Sequence, residues 1–77
     1  MDWILTPHFR NQLVKRKIPE SFVEMALNNP DETVPGHKGR TVYHKIIKGK
    51  LLRVVTKGNT VITAYHTSKI KKYTKGE

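Results

Sequence analysis

The chain has no cysteine, few aromatic residues and few acids, and each shortage excludes something. Without cysteine there can be no disulfide, no thiolate metal site and no cysteine nucleophile, which fits a reducing compartment. Apolar runs stop after a few residues, so no segment reads as a membrane span. The opening MDWILTPHFR lacks the basic-then-apolar layout of a secretion signal, and a cytoplasmic location is the default expectation. One Trp, two Phe and three Tyr leave only a small core. Seventy-seven residues are expected to form one domain, with a basic tail over about residues 68–77.

What is present is positive charge. Fifteen Lys and Arg stand against six Asp and Glu, a formal net charge of +9. A field of that size attracts polyanions and speeds their association. RNA, DNA, anionic lipid or an acidic protein partner would each satisfy it, and RNA is the leading reading.

Helical signals come first along the chain. Thr6 suits an N-cap and Pro7 a first helical position, where its missing N–H costs nothing. Phe9 and Leu13 lie four apart, and Val14 widens the apolar stripe, so a helix is predicted from about Pro7 to Arg16 or Lys17. Pro19 opens a second, carrying Phe22, Val23, Ala26 and Leu27, and Asn28-Asn29-Pro30 ends it. Strands are predicted over Glu32–Val34, Arg40–Ile47, Leu51–Thr56 and Thr60–Thr67. The turns Lys48-Gly49-Lys50 and Gly58-Asn59 are of hairpin length, which makes the last three strands an antiparallel meander. The fold class is therefore α+β, two N-terminal helices on a mainly antiparallel sheet of about four strands.

A two-residue loop at Gly58-Asn59 sets Val55 opposite Ile62 and Arg53 opposite Ala64. One face then carries His44, Arg53, Ala64 and His66, and the other Tyr43, Lys45, Thr63 and Tyr65. A one-residue slip would exchange these sets. Periodicity alone leaves open which face the helices cover.

The motifs Thr6-Pro7-His8, Arg16-Lys17-Ile18-Pro19, Phe22-Val23-Glu24-Met25-Ala26-Leu27 and Asn29-Pro30-Asp31 form a linear series. Arg40-Thr41-Val42-Tyr43-His44-Lys45, Leu52-Arg53-Val54-Val55 and Val61-Ile62-Thr63-Ala64-Tyr65 continue it. This order, from about Thr6 to Tyr73, resembles a family of short prokaryotic proteins known as a domain of unknown function. That family is placed in the superfamily of barnase, colicin and RelE-type ribonucleases. The resemblance implies a curved RelE- or barnase-like sheet and metal-independent cleavage of RNA, with no cofactor. Family members often have Arg where this chain has Gln12, and Gly where it has Lys17.

Cleavage by 2′-hydroxyl attack needs a base, an acid for the leaving 5′-oxygen, and cations around the phosphorane. Histidine suits the proton transfers and arginine's planar fork suits the phosphate. His8 matches the family's histidine position; it is either a catalytic or phosphate-binding group or a packing residue bonded to a carbonyl. His44 and His66 fall on the Arg53 face of this register, as an acid–base pair or as solvated strand residues. Arg53 interrupts the apolar run Leu-Leu-Arg-Val-Val, where a cation needs an anion or a path to water. Arg40, beside a Gly-containing loop, is a phosphate ligand or an exposed strand-end charge. Arg16 more simply answers the helix dipole. Tyr43 and Tyr65, sharing a face with Lys45, either stack on bases or belong to the core. Lys69, Lys71, Lys72 and Lys75 form a basic run suited to nonspecific phosphate contact or to solvation. The histidines show no metal-ligand spacing.

The leading expectation is a RelE-like endoribonuclease, the toxin of a toxin–antitoxin pair, acting on messenger RNA either free or at the ribosome and neutralised by an acidic antitoxin. Catalysis would rest on His8, His44, Arg53, His66 and Tyr65. The alternatives are a noncatalytic RNA- or ribosome-binding module and a basic protein-interaction domain.

Overall fold

The computed structural model describes residues 2–70, so Lys71, Lys72 and Lys75 of the basic tail lie outside the described residues. Strand β1 (Ile4–Leu5) leads into helix α1 (Pro7–Arg16) and helix α2 (Glu20–Asn28). Strands β2 (Glu32–Pro35), β3 (Thr41–Ile47), β4 (Lys50–Lys57) and β5 (Thr60–Thr67) follow, with a 3-10 turn at His37–Gly39. They form one five-stranded sheet in the order β1-β5-β4-β3-β2. The expectation of four strands missed β1, whose two residues pair parallel to Thr60 and Val61. The sheet is therefore mixed. So short an edge strand has no periodicity to detect.

Helix α1 begins as its sequence asks. Thr6 is extended and its hydroxyl accepts the Phe9 amide at 3.1 Å, with Pro7 at the first position. The helix ends in a Schellman motif, where Lys17 donates to the Val14 carbonyl and Ile18 to that of Leu13. Leu13 and Ile18 close it as a buried apolar pair. Lys17 holds the left-handed conformation at φ 57°, which glycine would adopt at lower cost. Val14 does not widen the buried stripe: it is 77% exposed. Only Phe9 and Leu13 face inward from α1, joined by Val23, Ala26 and Leu27 of α2.

Both helices cover one face of the sheet. The core there unites their apolar residues with Leu52, Val54, Val61 and Ala64, and Tyr43 and Ile47 pack against it. Strand β3 pairs with β4 through Ile47↔Lys50, closed by Lys48 and Gly49, both at positive φ. Gly58 likewise takes positive φ in the turn closed by Lys57↔Thr60. No described helix is long and apolar enough to cross a membrane.

One irregularity changes the register. Thr56 pairs with Val61 as a two-residue turn requires, but Val55 pairs with Thr63, so Ile62 is an extra residue. A bulge of one residue exchanges the faces of everything beyond it. Arg53 is thus opposite Tyr65, not Ala64, and Val55 is opposite Thr63, not Ile62. His66 pairs with Leu52 and belongs to the helix-covered face, contrary to its expected place beside Arg53. Tyr65 moves the other way, onto the Arg53 face.

Helix α1 docks on this irregular stretch. Arg16 donates to the Ala64 carbonyl at 2.7 Å and to the Thr63 hydroxyl at 3.0 Å, and that hydroxyl donates to Gln12 at 2.9 Å. Beyond Val61, β1 no longer flanks β5, and Arg16 supplies a donor where the ladder has none. Its work is structural as well as electrostatic.

Candidate functional site

On the face away from the helices, the register lines up four polar side chains across four strands: Glu32 of β2, His44 of β3, Arg53 of β4 and Tyr65 of β5. They are joined in that order. Glu32 Oε1 lies 3.2 Å from His44 Nδ1, and Arg53 Nε donates to His44 Nε2 at 3.1 Å. Arg53 Nη1 in turn donates to the Tyr65 hydroxyl, and its guanidinium carbon sits 5.4 Å from the Tyr65 ring centre.

Arginine donates and cannot accept, so His44 Nε2 must be the acceptor. The imidazole proton then resides on Nδ1 and points to the Glu32 carboxylate. Both ring nitrogens are engaged, and His44 is 1% exposed. The arrangement locks the guanidinium plane through a buried imidazole and leaves the Tyr65 hydroxyl proton to be donated elsewhere.

Arg53 also forms one wall of a cavity of about 430 Å³. Its other walls come from Gly36, His37 and Arg40 of the β2–β3 connection, with Pro35, Val42 and Val55. That connection is tight: the Gly36 amide donates to the Arg40 carbonyl at 2.8 Å, and the Arg40 amide to the His37 carbonyl at 3.1 Å. A Cβ on Gly36 would come within 3.3 Å of the Arg40 Cβ and 3.4 Å of Val42 Cγ2, so the turn suits glycine. Two arginines and a histidine therefore line one hollow. Such a hollow can hold a phosphate group and move a proton beside it.

The remaining residues singled out in the sequence are dispersed. His8 is exposed on α1, with Nε2 3.1 Å from Gln12 Nε2, in the helix layer rather than on the Arg53 face. His66 lies in a separate hollow with Arg16, Lys17, Lys48 and Lys50. Burial first, and then the charge of Lys50, lowers its pKa below the ordinary 6.5. Tyr43 is partly buried on the helix-covered face and packs edge-on against Trp3, ring centres 5.5 Å apart. Lys45 Nζ lies 3.6 Å from Asp31 Oδ1. Lys69 is exposed, its amide bonded to the Thr67 hydroxyl. Arg40 precedes β3 as an exposed loop residue.

Two members of the arrangement went unnoticed in the sequence, Glu32 and His37. Glu32 could have been found by counting outward from the Gly36–Arg40 loop, since Pro35↔Thr41 sets Glu32 opposite His44. His37 sits in the loop already noted for Arg40. Among the described residues, no group of three or more His, Asp or Glu side chains gathers where it could hold a metal ion. Comparison of the chain with family models, with curated proteins and with solved structures gives no match.

Proposed function

We propose that the protein is an RNA-binding endoribonuclease of the RelE- or barnase-like type, cutting single-stranded RNA at the Arg40–Arg53 cavity. The observation that carries this reading is the bonded row Glu32–His44–Arg53–Tyr65 running into a cavity walled by two arginines. The excess of cations over the whole chain supports it as the source of affinity.

In the proposed reaction, Arg53 and Arg40 hold the scissile phosphate and offset the charge that grows on its oxygens. His37 takes the proton from the 2′-hydroxyl as the P–O2′ bond forms. Tyr65 gives a proton to the 5′-oxygen as the P–O5′ bond breaks. The products are a 2′,3′-cyclic phosphate and a 5′-hydroxyl, and the chain's proton balance is restored by transfer through solvent. His44 and Glu32 are positioning residues here, since they fix Arg53 without reaching substrate. His8 and His66 have no part in the chemistry.

Toxin activity on messenger RNA, at the ribosome and under an acidic antitoxin's control, extends the same proposal. The test is to incubate the pure protein with RNA, with and without ribosomes and with EDTA present, and to map the new ends. Cyclic phosphate ends that vanish with Arg53→Ala are expected. No new ends under either condition, or equal cleavage by Arg53→Ala, would refute the reading.

A further inference from the structure

The face of the sheet opposite the Arg53 row holds a second hollow, of about 400 Å³, where the C-terminus of α1 meets the β3–β4 turn. Four cations line it: Arg16 and Lys17 from the end of α1, Lys48 from the turn and Lys50 from the start of β4. No acid is among its lining residues within the described part of the chain. Phe22 forms part of the floor, with Lys48 Nζ 5.8 Å from its ring centre, and His66 closes the wall.

Three features set this cluster apart from an ordinary solvated basic face. The first is convergence: side chains from three segments far apart in sequence enclose one volume. The second is His66, whose buried Nδ1 has no hydrogen-bond partner among the described residues. A buried polar atom left without a partner is rare in folded proteins and costs stability. The third is the backbone. Lys17 and Lys48 both adopt left-handed conformations, at φ 57° and φ 54°. Such positions are strained for any residue with a Cβ, and strain of this kind gathers at functional sites. Glycine would fit both turns better but would remove two of the four cations.

A tetrahedral oxyanion answers the first two features, and the left-handed turns at Lys17 and Lys48 keep both cations at the rim. The anion offsets the mutual repulsion of Arg16, Lys17, Lys48 and Lys50, and it gives His66 Nδ1 an acceptor once that nitrogen is protonated. We infer that this hollow is a second, noncatalytic phosphate site, which holds a backbone phosphate of a single-stranded RNA away from the cutting centre. That the phosphate belongs to RNA rests on the function proposed above; the anion site itself does not.

The experiment follows the His66 ring resonances of the full chain through a pH titration by NMR. The probes are inorganic phosphate and a fully 2′-O-methylated oligoribonucleotide, which cannot be cleaved by 2′-hydroxyl attack. The oligonucleotide should raise the His66 midpoint by about one unit, the mark of tenfold tighter binding to the protonated form. In the doubly substituted Lys48→Gln/Lys50→Gln protein, the rise should vanish. The slope of log affinity against log salt should also fall in magnitude by about 1.4, from two lost contacts at about 0.7 each. Amide spectra confirm that the variant is folded.

A midpoint unmoved by either probe overturns the site. An equal rise from inorganic phosphate at the same concentration overturns its assignment to a strand. The two proposals fail separately: absence of cleavage refutes the nuclease while leaving the His66 response intact, and an inert His66 leaves cleavage untouched.

Discussion

Arg53 Nε donates to His44 Nε2 across 3.1 Å, and that one bond fixes the imidazole tautomer. With Nε2 accepting, the ring proton lies on Nδ1, within 3.2 Å of Glu32 Oε1. The 15N spectrum of His44 should therefore show a pyrrole-type Nδ1 and a pyridine-type Nε2. The reverse pattern would contradict the row. Glu32→Ala removes the group that orients the ring, and Arg53 loses its fixed plane. Misplacement of about 1 Å can cost about 10²-fold in rate, and a loss of that order in kcat is expected. Glu32→Gln, whose amide oxygen can still accept from Nδ1, should recover much of it.

Arg53 itself is the more demanding position. Its guanidinium serves His44 through Nε and Tyr65 through Nη1 while walling the cavity. A lysine supplies a point charge and cannot hold two such directions at once. Arg53→Lys should thus lower kcat by about 10²–10³-fold, the range for loss of one preorganised transition-state donor. Arg40→Gln removes the second guanidinium from the phosphate and should also lower kcat, by a smaller factor, because a side chain on an exposed loop is less firmly held. If Arg53→Lys cleaves RNA at the wild-type rate, the row is structural and the site lies elsewhere.

The sequence disclosed the helices, the meander and the His44–Arg53 pair, because caps, turns and alternation are local signals. Thr6-Pro7 started α1 and Asn29-Pro30 stopped α2 where the side chains demanded. What stayed hidden was Ile62. Nothing in Val61-Ile62-Thr63 announces an extra residue, yet it exchanged Tyr65 with His66 between the two faces. The bulge coincides with the docking of Arg16 and Gln12 on Thr63 and Ala64, a contact between residues roughly 50 apart in the chain. Long-range contacts of that kind leave no mark on local periodicity. Glu32 was hidden for a milder reason: β2 is four residues long, and its partner is set only once the Gly36–Arg40 loop is known.

Lys17 offers a test in which stability and binding move apart. It occupies the left-handed position of the Schellman motif, and glycine there relieves the Cβ penalty. Lys17→Gly should stabilise the protein by about 0.5–1 kcal/mol, after the extra unfolded-state entropy of glycine is set against the relief. For a domain of this size that is a rise of about 2–8 °C in Tm, measurable by calorimetry. The same change removes a cation from the His66 hollow and should weaken oligonucleotide binding there. A variant that melts lower would show that the lysine side chain contributes more to the fold than its backbone angle costs.

His66 connects stability to pH with a definite sign. Its folded pKa lies below 6.5, through burial and then through Lys50, and the facing groups Arg16, Lys17 and Lys48 are also cationic. Between the lowered folded value and the unfolded one near 6.5, the unfolded chain binds more protons. Stability from this group is therefore fully present above about pH 6.5 and is lost as pH falls toward the folded value. Urea midpoints measured from about pH 7.5 down to about pH 5 should decline through that window. His66→Gln cannot titrate, so it should flatten the part of the decline that His66 causes. An unchanged decline in the variant would assign the pH dependence to other groups.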